Sequence, residues 1–131
     1  MQKTLRPLAA EFIGVFMLTF IGAGAIVLNT YRDGSVGLAG IAIAHGLALA
    51  IAVSATMNVS GGHINPAVTI GLWSVGRIGW KQAGLYVLAQ VLGAIVAALA
   101  IKGLYPEMAG RVAQLGVPHL ASDVNFTQGV L

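Results

Sequence analysis

The chain of 131 residues has no cysteine, so it can build neither a disulfide framework nor a thiolate metal site. Charge is scarce as well. Only 8% of residues are Asp, Glu, Lys or Arg, against 57% hydrophobic, and the mean hydropathy of +0.87 excludes an ordinary water-soluble domain. The net charge of +3 is spread over Lys3, Arg6, Arg32, Arg77, Lys81, Lys102 and Arg111, too thinly to form a nucleic-acid surface, so no nucleic-acid partner is expected. Nothing has the pattern of a nucleophile, base and oxyanion arrangement, so neither an enzyme nor a cofactor is expected.

What is present is a set of long apolar runs. They predict an all-α membrane protein with three transmembrane helices plus one re-entrant half-helix, all within a single unit covering residues 1–131. The spans are expected over residues 8–28, 38–57 and 82–101, each of roughly 30 Å when helical, the thickness of a bilayer's hydrocarbon core. Lys3 and Arg6 ahead of the first run imitate a secretory signal, with Gly22-Ala23-Gly24-Ala25 as the nearest thing to a cleavage site. The run is longer than a signal's apolar core, and it reads as a retained span. Counting Lys3, Arg6, Arg77 and Lys81 at one end of the spans against Arg32, Lys102 and Arg111 at the other places the N-terminus in the cytoplasm, in a cell membrane, plasma or inner.

Between the second and third spans, Asn58 to Ile64 is loop-like. Residues 66–75 are apolar but only about 15 Å long as a helix, half a bilayer. A segment of that length should dip in and return, and irregular backbone at membrane depth is tolerated only where protein buries it or it lines a watery cavity. The tail, residues 102–131, carries Pro106, Pro118, Gly103, Gly110 and Gly116. It reads as an extracellular loop with one turn of helix around Glu107 to Leu115. Asn125-Phe126-Thr127 fits a glycosylation acceptor, a pattern that often arises by chance. Small residues every fourth position, Ala42, Gly46, Ala50 and Ser54 on the second span and Ala89, Gly93 and Ala97 on the third, are read as packing seams.

The chemistry is concentrated in Ser60 to Thr69, Ser-Gly-Gly-His-Ile-Asn-Pro-Ala-Val-Thr. Asn65 is a favoured N-cap, and Pro66 is preorganised for the first helical position before Ala67. With the Asn65 oxygen capping the helix, its NH2 remains free to meet a solute's oxygen. The helix end adds the positive pole of its dipole, about half an elementary charge, which repels cations and protons. Gly61, Gly62, His63 and Ile64 permit an extended backbone whose carbonyls form a ladder of acceptors.

Taken with Ala10-Glu11-Phe12-Ile13-Gly14 on the first span and Tyr86-Val87-Leu88-Ala89-Gln90 followed by Gly93-Ala94 on the third, this motif resembles the first half of an aquaporin, of the major intrinsic protein family. The resemblance runs from about Leu5 to Leu131. It implies one of two inverted repeats in a six-span, right-handed bundle with two opposed half-helices, assembled as a homotetramer of separately conducting subunits. The second repeat, with its own Asn-Pro-Ala box and the Arg after it, would come from a missing C-terminal half or from another chain.

The remaining polar residues are read beside that resemblance. Glu11 inside a span costs on the order of 2–3 kcal/mol if unpaired at the bilayer centre. It either snorkels to an interface or, as the family implies, accepts hydrogen bonds around the re-entrant loop. Gln90 should bond between helices. His45 on an apolar helix is ordinarily a packed residue, but the resemblance puts it at the outer aromatic/Arg constriction, where water-selective relatives have Phe, glycerol-conducting ones Trp, and tonoplast-type and ammonia-permeable ones His. His63 is either a pH sensor or a packed loop residue contributing its carbonyl, and His119 is read as solvated. His45 and His63 are roughly 25 Å apart along one span, which excludes a shared metal site. The expected function is a passive channel for water and small neutral solutes such as ammonia, hydrogen peroxide or urea, with those solutes, the lipid bilayer and a second repeat as partners. The alternative is a non-conducting half-unit acting as a structural or regulatory membrane partner.

Overall fold

The computed structural model describes residues 2–105, 107, 113–117, 124, 125 and 127. Four α-helices follow in order, α1 (Gln2–Tyr31), α2 (Gly37–Ser60), α3 (Pro66–Ser74) and α4 (Trp80–Leu104), then a 3-10 turn at Gln114–Gly116, with no strand among the described residues. Helices α1, α2 and α4 have 30, 24 and 25 residues, or about 36–45 Å at helical rise, long and apolar enough to cross a bilayer. Each extends past the apolar run that marks it, because helical geometry continues into the headgroup region after the apolar residues stop. α2 ends where Gly61 turns left-handed at φ 92° and donates its N–H to the Met57 carbonyl, a cap that costs a glycine little.

Helix α1 is the middle of the three, packed on both α2 and α4, while α3 rests on α4. Two close approaches make this possible. At Gly93 a Cβ would stand 2.4 Å from the Phe12 carbonyl oxygen, so only glycine lets α4 meet the α1 backbone there. Gly93 and Ala97 of the α4 seam are accordingly buried. The seam read on α2 is different: Ala42, Gly46, Ala50 and Ser54 are all exposed in this chain, and Ala48, Ala52, Thr56 and Ser60 face inward instead. Both faces of α2 carry small residues at four-residue spacing, so spacing alone cannot choose between them.

Two apolar clusters hold the bundle. Val15 and Ala52 surround Ile64 near one end, and Val27, Ile101 and Ala113 meet at the other with Phe20, Ala23, Tyr105 and Leu115 against them. The second cluster shows that the segment after α4 does not lie wholly outside the bundle. It returns to α1, where Gly116, at φ 75°, sits so close that a Cβ would lie 3.0 Å from Ala23 Cα. Of the helical turn expected at Glu107 to Leu115, residues 108–112 lie outside the described residues, as do His119 and the Phe126 of the glycosylation pattern. Exposed aromatic rings mark the two ends of the bundle, Trp73 and Trp80 at one and Tyr31, with its ring 5.6 Å from that of Tyr105, at the other. Amphipathic rings gather at the two faces of a bilayer in this way.

Candidate functional site

The loop from Gly61 to Asn65 carries an unusual backbone. Gly61, Gly62 and Ile64 have φ of 92°, 62° and 48°. For glycine that is cheap. For Ile64, a β-branched residue, the left-handed region costs roughly 1–2 kcal/mol, and it persists only because its surroundings over-determine it. The Ile64 side chain is 2% exposed among Val15 and Ala52. Gly14 makes room for it, since a Cβ there would stand 2.9 Å from Ile64 Cδ1. Its N–H donates at 2.7 Å to Glu11 Oε2.

Glu11 is the centre of this arrangement. It is fully buried, and Oε1 accepts from the Ser60 hydroxyl at 2.5 Å and the His63 N–H at 3.0 Å, while Oε2 accepts from the Ile64 N–H and from Gln90 Nε2, both at 2.7 Å. Four donors converge on it, which suits a group that only accepts. Glu11 therefore does not snorkel. It ties α1 to the end of α2, to the loop and to α4 at once.

Gln90 carries the connection onward. Its Nε2 also donates to Thr69 Oγ1 at 2.9 Å, and Thr69 donates to the Asn65 carbonyl at 3.1 Å. His63 Nδ1 lies 3.1 Å from the same hydroxyl. With the Thr69 hydroxyl donating to the Asn65 carbonyl, the matching His63 tautomer carries its proton on Nδ1; the Thr69 hydroxyl turned toward His63 matches the other. Tyr86 closes the ring of contacts: its hydroxyl donates to the Ser60 carbonyl at 2.9 Å, and its ring meets that of His63 edge-to-face at 5.1 Å between centroids. Gln90 Oε1 is buried without a partner among the described residues.

The product of this scaffold is the placement of the α3 N-terminus. Asn65 is the N-cap, with extended backbone at φ −157° and ψ 127°, Pro66 follows in the first turn, and Asn65 Oδ1 accepts from the Ala67 N–H at 2.8 Å. The Asn65 side chain is exposed, and its NH2 donates to no protein atom among the described residues. The arrangement can therefore offer a donor outward while its oxygen stays fixed.

His45 stands apart. It sits about 22 Å from Ser60 along α2, its Nδ1 lies 2.9 Å from the Ile41 carbonyl, and its ring packs on α1 where a Cβ on Gly22 would be 2.6 Å from Nε2. Gly22→Ala is expected to push the ring off α1 at a cost of about 1–3 kcal/mol of overpacking, checked by the change in the His45 ring shifts in NMR spectra. The structure thus brings together Glu11, Gln90 and the run from Gly61 to Ala67, and leaves His45 at the other end. No group of three or more His, Cys, Asp or Glu that could hold a metal occurs among the described residues.

Ser60, Thr69 and Tyr86 belong to this network, and no periodicity marks them, because each acts through a partner distant in sequence. A weak signal does exist. Tyr86 and Gln90 are polar-tipped residues one turn apart on an otherwise apolar span, and Thr69 follows Asn65 at the spacing of a hydroxyl bonding back to a carbonyl.

Comparison with known proteins gives a consistent picture. The chain matches the major intrinsic protein family over residues 1–131. It is 42% identical to Aquaporin TIP4-4 of Zea mays, across 97% of this chain and 51% of that protein. It is 43% identical to Aquaporin NIP1-1 of Arabidopsis thaliana over 77% of this chain and 34% of the relative, and 41% identical to Aquaporin Z of Photorhabdus laumondii over 82% and 46%. Among solved structures, the X-ray structure of the aquaglyceroporin from Plasmodium falciparum superposes with a TM-score of 0.70 at 34% identity, covering 88% of this chain and 46% of the other. The chain spans about half or less of the length of these relatives.

Proposed function

The chain belongs to the major intrinsic protein family, and from that premise we propose that it forms one wall of a passive membrane channel for water and small neutral solutes. The observation that carries the reading is the division of labour at Asn65. Its oxygen is held by Ala67 N–H at 2.8 Å while its NH2 has no acceptor among the described residues, at the positive end of a half-helix anchored through Glu11 and Gln90. In this reading Asn65 donates to each passing molecule, and the carbonyls of Gly61, Gly62, His63 and Ile64 accept along the approach. Flow follows the gradient alone, with no covalent step.

The complete pore takes a second repeat, supplied by a continuation of this chain or by another chain, and the full assembly is a homotetramer with its N-termini in the cytoplasm. His45 in place of a Trp favours water, ammonia, hydrogen peroxide or urea over glycerol, although the solved structure above is that of an aquaglyceroporin. Glycerol uptake well below water uptake in the same vesicles checks that preference.

Proteoliposomes containing the protein should swell faster than empty vesicles in stopped-flow light scattering. Swelling no faster than the empty control supports the alternative, a non-conducting half-unit. Asn65→Asp provides a second check. It keeps a capping oxygen but replaces the outward donor with negative charge, so proton leak should rise about tenfold, the effect of roughly 1.4 kcal/mol on a barrier, read with a pH-sensitive dye inside the vesicles.

A further inference from the structure

Both tryptophans of the chain, Trp73 and Trp80, lie at the same end of the bundle, with Arg77 between them in sequence and Lys81 next to Trp80. Arg77, Trp80 and Lys81 are exposed, Trp80 at 69%, and Lys81 Nζ lies 5.5 Å from the Trp80 ring centroid. Arg6, also exposed, shares this end. The Glu11–Ser60 and Tyr86–Ser60 hydrogen bonds align α1, α2 and α4 one layer further in.

The described acids are elsewhere. Glu11 is buried beneath its four donors, Asp33 sits in the turn between α1 and α2 at the opposite end, and Glu107 follows α4. Among the described side chains, the opposite end therefore sets Arg32 and Lys102 against Asp33 and Glu107, whereas this end sets Arg6, Arg77 and Lys81 against no exposed acid. Counting cations alone makes the two ends look nearly equal. Counting both signs makes one end strongly positive and the other neutral.

We propose that this face, centred on Arg77, Trp80 and Lys81, binds the phosphate headgroups of anionic phospholipids in the leaflet it meets. The Arg77 guanidinium offers a planar fork of donors matched to phosphate oxygens. Lys81, beside the Trp80 ring, adds a second exposed cation four positions further on, and no carboxylate among the described residues pairs with either. Trp80 and Trp73 hold the face at headgroup depth. Anionic lipid is favoured over zwitterionic because the choline of the latter cancels the charge that these cations meet. Free phosphate has no acyl chain to lie along the exposed Trp rings. This surface is separate from Asn65, and the proposal stands whether or not the chain conducts.

The two tryptophans are the only ones in the chain, so tryptophan fluorescence reports on this face alone. The full chain is placed in phosphatidylcholine vesicles containing a rising mole fraction of either brominated phosphatidylglycerol or brominated phosphatidylcholine, which quench a tryptophan in contact with their chains. Brominated phosphatidylglycerol should reach half-quenching at about fivefold lower mole fraction, the scale that an interfacial cation supplies. The preference should disappear in R77Q/K81Q, survive in R32Q at the other end, and survive in the charge-keeping R77K/K81R. Equal quenching by the two lipids in the natural sequence, persistence of the preference in R77Q/K81Q, or its loss in R77K/K81R would overturn the proposal. Abolition of the preference by millimolar inorganic phosphate would assign the cations to a soluble anion and overturn the lipid assignment, whereas its persistence supports it.

Discussion

Glu11→Ala should release the re-entrant segment from the bundle. Four donors lose their common acceptor: the Ser60 hydroxyl, the His63 and Ile64 amides and the Gln90 side chain. Hydrogen bonds to a charged group contribute about 1.5–3 kcal/mol each, and donors left buried without a partner add a further penalty. These contributions are not independent, and about 4 kcal/mol is the expected loss, read as an earlier midpoint in detergent-induced unfolding. The sharper readout is hydrogen exchange at the His63 and Ile64 amides, which should accelerate at least about a hundredfold as the loop opens locally. Glu11→Gln should fall between the two, because its NH2 faces donors where a carboxylate oxygen accepted. Any channel conductance should vanish with Glu11→Ala, since Ile64 then keeps only its packing against Val15 and Ala52 to hold its left-handed backbone against strain.

Gly93→Ala should be comparably damaging, by a different route. The added methyl would lie 2.4 Å from the Phe12 carbonyl oxygen, and that neighbour is backbone and cannot rotate away. α4 must then move off α1, dissolving the contacts that bring Gln90 to Glu11, at an expected cost of about 3 kcal/mol or more. Gly84→Ala and Gly103→Ala on the same helix are the matched controls, because a Cβ at either position meets nothing within 4 Å. Those two should shift the unfolding midpoint little, so the contrast isolates close approach from helix propensity. A Gly93→Ala protein as stable as its controls would show that the α1–α4 approach can relax.

The architecture was legible in the sequence to the extent that it follows from apolar length. Three runs of bilayer length and one of half that length predict the three long helices and α3, with the boundaries off by a few residues because helices continue past their apolar cores. The cap at Asn65 and Pro66 was equally plain, since both residues act on their immediate neighbours. Side-chain partnerships across the fold were less so. That Glu11 needs partners follows from the cost of a carboxyl among apolar residues, but its four donors come from three other segments, and only the fold shows that Ser60 and Gln90 converge on it. Thr69 and Tyr86 were opaque for the same reason. On α2 the stripe of Ala42, Gly46, Ala50 and Ser54 faces outward in this chain while Ala48, Ala52, Thr56 and Ser60 face inward, and a periodicity argument has no means of ranking two equivalent stripes. The return of residues 113–117 to α1 was hidden by glycines and prolines that read as a loop. A segment with turn residues can still pack when a glycine such as Gly116 lets the backbone touch a helix.

That α3, among the described elements, rests on α4 alone has a consequence for biosynthesis. Gln90, the residue that receives Thr69, follows it by 21 positions in the chain. At about 5–20 residues per second, the ribosome delivers it about 1–4 s after Thr69 has been made. During that delay the loop can already be tethered through Glu11 and the His63 and Ile64 amides, while the short helix has no seat. Chain order thus allows the first helix to anchor the loop before the last helix arrives to seat the short one.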